Sequence, residues 1–273
     1  MTVVAAPATT SNAPAAAHVF DCIVCGIDDS ERGSEAARQA ARLLAPDGSL
    51  HLHAVADVAA FRRAGLAVAP SPADIVESLT QTLDRTAAEV RPSTSRLTKG
   101  IPVPTLLRRV GEEEATLLAL GARRQRRAAG FFMGSVTTKL LHDAPCSVLL
   151  ARPQRSGVGP PTRIVVGVDG SPHAEAAAAC ARALRARFGG WLFSAAALGG
   201  KAIDGDEMSR LDPNVILDAR HPVDALLALA EAADLLVVGS RGLHGLASLG
   251  SVSERVAHLA RCSVLVVRGV GEE

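Results

Sequence analysis

Two short segments place a carboxylate and a hydroxyl side by side: Asp28-Asp29-Ser30 and Asp169-Gly170-Ser171. Each closes a run of Ile and Val and opens an Ala-rich stretch that carries Arg. A carboxylate at the end of a buried strand can meet a ribose or a base, and a Ser at a helix start can cap it. For Ser171, followed by Pro172, the cap is well explained, because Pro suits the first helical position. The second constellation is the glycine-rich run Gly239, Ser240, Arg241, Gly242 and His244, leading to Gly250, Ser251, Val252 and Ser253. Glycines let backbone N–H groups approach an anion, and a helix starting near Ser251 adds unpaired donors and the positive end of its dipole. This is a phosphate cradle without lysine. Its spacing matches neither G-x-x-x-x-G-K-[ST] nor G-x-G-x-x-G, so it supports neither a P-loop nor a dinucleotide fold. Ser251-Val-Ser-Glu254 also reads as a capping box with Ser251 as N-cap. Glu254 would oppose a phosphate at that helix start, and His244 reads as a solvent-facing loop residue.

The first half carries a parallel run from Gly121 to Gly134, Ser135 and Val136, with Arg123, Arg124, Arg126 and Arg127 crowded inside it. Four guanidinium groups could grip phosphates, or form a solvated basic loop. Cys22 and Cys25 make a C-x-x-C within a strand-like run, where positions three apart point to opposite faces; buried thiols are expected rather than a redox or zinc site. His142, Asp143 and His258 precede the final apolar runs and suit helix ends.

These groups recur because the chain is duplicated. Ile23-Val-Cys-Gly-Ile-Asp-Asp-Ser30 returns as Ile164-Val-Val-Gly-Val-Asp-Gly-Ser171, Gly134-Ser-Val136 as Gly250-Ser-Val252, and Cys146-Ser-Val-Leu-Leu150 as Cys262-Ser-Val-Leu-Val266. Asp28 and Asp169 lie 141 positions apart, Gly121 and Gly239 118, and Cys146 and Cys262 116. The second copy is therefore shorter, mainly in its middle, where the first copy has an additional helix after Ser71-Pro72. Residues 1–17 read as a flexible tail lacking the basic start of a secretory signal. Residues 18–152 form the first domain, 153–162 a Pro/Gly-rich linker and 163–273 the second domain.

Within each copy, short Val/Ile/Leu runs alternate with helical runs. Strands are expected near 20–27, 50–56, 94–98, 116–120 and 147–151, then near 163–168, 191–196, 215–218, 235–238 and 263–268. Strands apolar on both faces and joined by helices imply parallel sheets covered on both sides, hence two tandem doubly wound α/β domains. The 273 residues suffice for two cores, with 48% hydrophobic residues and 21% charged. A net charge of +1, no Tyr and one Trp leave neither a general basic field nor an aromatic platform for nucleic acid. Five cysteines in a chain this long do not make a disulfide framework, and no apolar run reaches the length of a membrane span. A soluble protein of a reducing, cytoplasmic setting is expected.

With strand-1 Asp, glycine loop, G-S-V helix start and C-S-V-L final strand in hand, the chain resembles the universal stress protein family in its tandem two-domain form. The resemblance implies a five-stranded parallel sheet of order 3-2-1-4-5 in each domain, an adenine nucleotide alpha hydrolase-like fold. It implies ATP or AMP as ligand, with Mg entering only through the phosphates. It also implies pairing through the last strands, giving an internal pseudo-dimer, with a homodimer as a further form. By resemblance, Asp169 would contact base or ribose, Ser171 would belong to the same ligand site, and Ala195 and Ala196 would meet adenine through backbone. Gly239, Ser240, Arg241, Gly242, His244, Gly250, Ser251, Val252 and Ser253 would surround the phosphates. Asp28, Ser30, Val55, Gly121, Arg123, Arg124, Gly134, Ser135 and Val136 are the first-copy counterparts. Both copies depart from the family spacing G-x2-G-x9-G-[ST]. The first has Arg124 in place of the second Gly; the second has a spacer of seven residues, 243–249.

The expected role is a stress-response sensor or regulator. One alternative is a nucleotide-independent dimerisation module. Another is an ATP pyrophosphatase or nucleotidyl transferase, but the second loop offers only Arg241 to stabilise a transferring phosphate.

Overall fold

The computed structural model describes residues 20–57, 71–122, 125–127, 130–153, 159–199, 214–240 and 250–269. The first half begins with β1 (Phe20–Ile27), α1 (Glu31–Leu43), β2 (Leu44–Ala56), α2 (Pro72–Glu89), β3 (Thr94–Lys99), α3 (Pro102–Glu112) and β4 (Leu117–Gly121). It continues through two short strands, β5 (Gln125–Arg127) and β6 (Gly130–Phe132), to α4 (Ser135–Asp143) and β7 (Ser147–Ala151). The second half runs β8 (Arg163–Gly167), α5 (Pro172–Phe188), β9 (Trp191–Ala197), β10 (Ile216–Asp218), α6 (Pro222–Ala230), β11 (Leu235–Gly239), α7 (Ser251–Leu259) and β12 (Ser263–Val267). Strand positions agree with the apolar runs, with one extension: β2 starts directly after α1 at Leu44, where an irregular pairing with β1 sets Phe20 opposite Leu44 and Cys22 opposite Ser49.

Ten strands form one sheet, in the order β10-β9-β8-β11-β12-β7-β4-β1-β2-β3. Each half contributes five parallel strands in the order 3-2-1-4-5, with β5 and β6 forming a separate ribbon. The halves meet where β12 and β7 pair antiparallel, Val264 opposite Leu150 and Val266 opposite Val148. Both strands are buried along their whole length. The near-identical apolar edges thus cover each other about a local two-fold axis, which removes two unpaired edges at once.

Helices cover both faces. Ala36, Ala37 and Ala40 of α1 and Ala177, Ala178 and Ala181 of α5 are buried in one core layer, with Ile75, Leu79 and Leu83 of α2. Alanine at these positions lets the helices lie close on the sheet. The opposite layer takes Leu106 and Val110 of α3, Leu140 and Leu141 of α4, Leu226 of α6 and Val256 of α7. Each layer runs through both halves without interruption. The helix after Ser71 is capped as its sequence suggests: Ser71 Oγ accepts from Asp74 N–H at 3.2 Å and Asp74 Oδ2 from Ser71 N–H at 2.8 Å.

Arginines reach across the joint. Arg152, just beyond β7 and 3% exposed, donates to the carbonyls of Ala257 and Cys262 at the end of α7 and the start of β12. Its counterpart Arg268, beyond β12, donates to Leu141 and His142 carbonyls at the end of α4, both at 2.9 Å. Helix ends leave carbonyls without intrahelical donors, and a cation there also meets the negative end of the dipole. Arg187 of α5 does the same for Leu43 and Leu44 carbonyls at the end of α1. Gln39 of α1 completes the buried network, donating to the Arg152 carbonyl at 2.8 Å and accepting from Ser263 Oγ at 2.7 Å.

The Cys22 and Cys25 side chains diverge as expected. Cys25 is buried, whereas the Cys22 thiol donates to the Glu113 carbonyl at 3.1 Å. Among the described residues no helix is long and apolar enough to cross a membrane. The tail, residues 154–158 of the linker and the short middle of the second copy lie outside the described residues.

Candidate functional site

At the carboxyl end of β1, Asp28 Oδ1 accepts from the Ser30 hydroxyl at 2.6 Å and the Ser30 N–H at 3.1 Å. Beyond β8, Asp169 Oδ1 does the same with Ser171, at 2.6 and 3.1 Å. Both aspartates are exposed. Each Ser caps the following helix: Ser30 Oγ accepts from Arg32 N–H at 3.3 Å and Ser171 Oγ from Ala174 N–H at 3.2 Å. Gly170 sits at φ 75°, the left-handed conformation that lets this turn close tightly. The strand end, the carboxylate and the cap therefore form one unit in each copy, and the Ser hydroxyls are engaged as both donor and acceptor.

Gly239 and Gly121 end the fourth strand of their halves. A side chain at Gly239 would come within 2.4 Å of the His173 carbonyl oxygen, and one at Gly121 within 2.7 Å of the Arg32 carbonyl oxygen. Glycine is required because the first turn of α5 or α1 passes directly over the strand end. Beyond it, Ser240 N–H donates to the Val267 carbonyl and Ala122 N–H to the Ala151 carbonyl, each at 2.9 Å. Ser240 is only 4% exposed.

The helix after the second glycine loop starts one residue earlier than the capping box suggests. Gly250, not Ser251, is the N-cap of α7, with no side-chain cap bond; Gly134 is the N-cap of α4 in the same way. Ser251 is the first helical residue and exposed, so it cannot close the reciprocal pair with Glu254. Glu254 Oε1 instead stands 3.2 Å from His142 Nε2, at the far end of α4 in the other half. Ser253 is buried and its hydroxyl donates to the Gly239 carbonyl at 2.6 Å, tying the first turn of α7 to the end of β11. Val252 is half-buried, while Ser135 and Val136 are exposed at the start of α4.

Gly239 consequently joins three elements, with α5 above it and α7 bonded to its carbonyl. The exposed Asp169 turn and the side-chain-free N-terminus of α7 are brought to one edge of the sheet. The first N–H groups of such a helix have no intrahelical acceptor and face outward. Ala195 and Ala196 are buried within β9, whose backbone is paired with β10 through Ile216 and Leu217; Ala195 carbonyl also accepts from Val168 N–H at 2.9 Å. Val55 lies on β2, paired with Thr98, one residue beyond the place of Ala196: by register with the first strand, His53 and Ala54 are the counterparts of Ala195 and Ala196. Arg123, Arg124, Arg241, Gly242 and His244 lie outside the described residues. Where a basic loop was expected, Gln125–Arg127 and Gly130–Phe132 form an antiparallel ribbon, Gln125 opposite Phe132. No cluster of three or more His, Cys, Asp or Glu suited to a metal occurs among the described residues.

Two groups escaped the sequence reading. One is the His142–Glu254 pair, which needs the antiparallel joint to form. The other is the Arg152 and Arg268 clasps, whose signal was present: an Arg follows both C-S-V-L strands.

A doubly wound α/β sheet of order 3-2-1-4-5, with strand-end Asp and a glycine-capped helix at its carboxyl edge, defines a nucleotide-hydrolase-like fold class. The family model for the universal stress protein family matches residues 20–152 and 194–268, and the chain belongs to that family. The second match begins inside β9, but β8 and α5 precede it in the same order as β1 and α1. Universal stress protein Rv2623 of Mycobacterium tuberculosis is 30% identical, the similarity covering 90% of this chain and 96% of that protein. Among solved structures, a universal stress protein from Archaeoglobus fulgidus shares the fold with a TM-score of 0.68 and 19% identity, covering 91% of this chain and 98% of the other. A functionally unknown protein, PA1789 from Pseudomonas aeruginosa, has a TM-score of 0.61 at 16% identity, covering 92% and 93%.

Proposed function

We propose that the second half binds an adenine nucleotide, ATP or AMP, and that the chain acts as a stress-response sensor or regulator in the cytoplasm rather than as a dedicated enzyme. The two units of this reading are residues 18–152 and 163–273. The observation that carries it is the convergence at Gly239: it sets the exposed Asp169 turn beside the open N-terminus of α7. Family membership supports the same reading. In it, the α7 N–H groups and the glycine loop hold phosphates, with Mg bound to those phosphates, and Asp169 faces base or ribose.

The test is analysis of the supernatant after denaturing the purified protein, followed by calorimetry of the full chain with ATP and AMP. Replacing Gly250 by Leu is the informative variant. Its φ −65° and ψ 146° suit any residue, so the fold is expected to persist. A lost charge-assisted hydrogen bond of about 1.5–3 kcal/mol weakens binding roughly tenfold or more. A second reading, a nucleotide-independent dimerisation module, is favoured by the packing that already accounts for Gly121 and Gly239. Absence of nucleotide together with unaltered behaviour of the Gly250 variant would select it.

A further inference from the structure

The two helix starts differ in charge. The first turn of α7 carries Glu254, whereas that of α4 carries no acidic residue. Glu254 sits three residues into α7, about 4.5 Å along the axis from Ser251. Its carboxylate competes with any incoming anion for the positive end of the helix. Its neighbours are titratable. His142 Nε2, from the last turn of α4 in the first half, lies 3.2 Å away. His258 follows one turn later on α7 itself.

We propose that His142 belongs functionally to the anion site of the second half, and that proton uptake by the His142–Glu254–His258 cluster tightens nucleotide binding there. With neutral imidazoles, Glu254 is an uncompensated negative charge beside the phosphates. A protonated His142 offsets that charge, so the α7 N-terminus faces the anion with its dipole unopposed. Linkage then requires the bound nucleotide to favour the protonated cluster in turn. The inference rests on the nucleotide reading above.

The other charged groups around the cluster are accounted for. Arg268, beyond β12, is committed to the Leu141 and His142 carbonyls, and Asp143 follows His142 on α4. Lys139 lies one turn back on α4, and Arg255 is exposed beside Glu254 on α7. Arg152, beyond β7, donates to the Ala257 carbonyl. Burial, Arg152 and His142 hold His258 below the usual imidazole range, with Glu254 opposing them. The first half has Thr138 where the second has Glu254 and gains no such control.

The experiment is ATP titration of the full chain at about pH 6 and about pH 8, for the natural sequence, Glu254→Gln and His142→Gln. Both changes lie on half-exposed side chains, so folding should be retained. Glu254→Gln should bind about two- to fivefold more tightly at the higher pH and lose most of the extra tightening on acidification. His142→Gln should keep the weak binding of the higher pH at both values. ATP titrates in this range itself, and the natural sequence supplies that common background. Equal pH dependence in all three proteins overturns the inference while leaving nucleotide binding intact. No binding by any of them at either pH overturns the nucleotide reading and the inference with it.

Discussion

His53 shows how a single side chain can set the pH response of the whole protein. It lies on β2, 2% exposed, with Nε2 lacking any hydrogen-bond partner. Burial, then the charges of Arg109, Arg96 and Arg108, push its pKa down to about 4, with Glu112 opposing. The unfolded chain takes up a proton near the ordinary value of about 6.5, while the folded chain stays neutral until about pH 4. Stability is therefore full above about pH 6.5 and falls progressively as the pH drops toward 4, by about 3 kcal/mol in all. His53→Leu should flatten this slope and leave neutral-pH stability unchanged or raised, because an unpaired buried nitrogen is removed. Urea unfolding at several pH values checks it; an unaltered slope would place the acid sensitivity elsewhere.

At the scale of elements, the joint depends on arginines that finish helices belonging to the opposite half. Arg152 supplies donors to the end of α7 and lies in the same buried network as Gln39 and Ser263. Arg152→Ala leaves those carbonyls buried without donors, and a loss of about 2–4 kcal/mol is expected. Arg152→Lys should recover only part, since one ammonium cannot reproduce the planar fork that spans two carbonyls. Urea midpoints of the three proteins decide this. Equal midpoints would mean that water replaces the guanidinium.

For the whole molecule, the shared sheet makes the halves interdependent. A chain ending at residue 155 would leave β7 as an open edge, with Val148, Leu149 and Leu150, each no more than 1% exposed in the intact protein, uncovered. Such an edge pairs with whatever strand it meets. The fragment should self-associate or precipitate, seen by light scattering, whereas the full chain should not do so through this edge. A stable monomeric fragment would show that the joint contributes less than its burial implies. For the same reason, nucleotide binding by either half is to be measured in the intact chain.

Much was legible before folding. The period of apolar residues located ten strands, the duplication located their partners, and Asp, Ser and Gly marked the carboxyl edge, because local burial and turn chemistry leave their trace in residue type. Ser71, Ser30 and Ser171 cap as their neighbours suggest, a purely local effect. Ser251 does not, since the tertiary contact of Ser253 with the Gly239 carbonyl and the pull of His142 on Glu254 outcompete the local box. Gly239 could be read from sequence as room for phosphate; only the fold shows that α5 also demands it. The Arg152 clasp and the His142–Glu254 contact join residues over 100 positions apart. The sequence alone determined the strands, helices and turns, whose interactions are short-range. The composite edge where two copies meet was decided by the antiparallel pairing of β7 and β12, a long-range packing choice that no local pattern encodes.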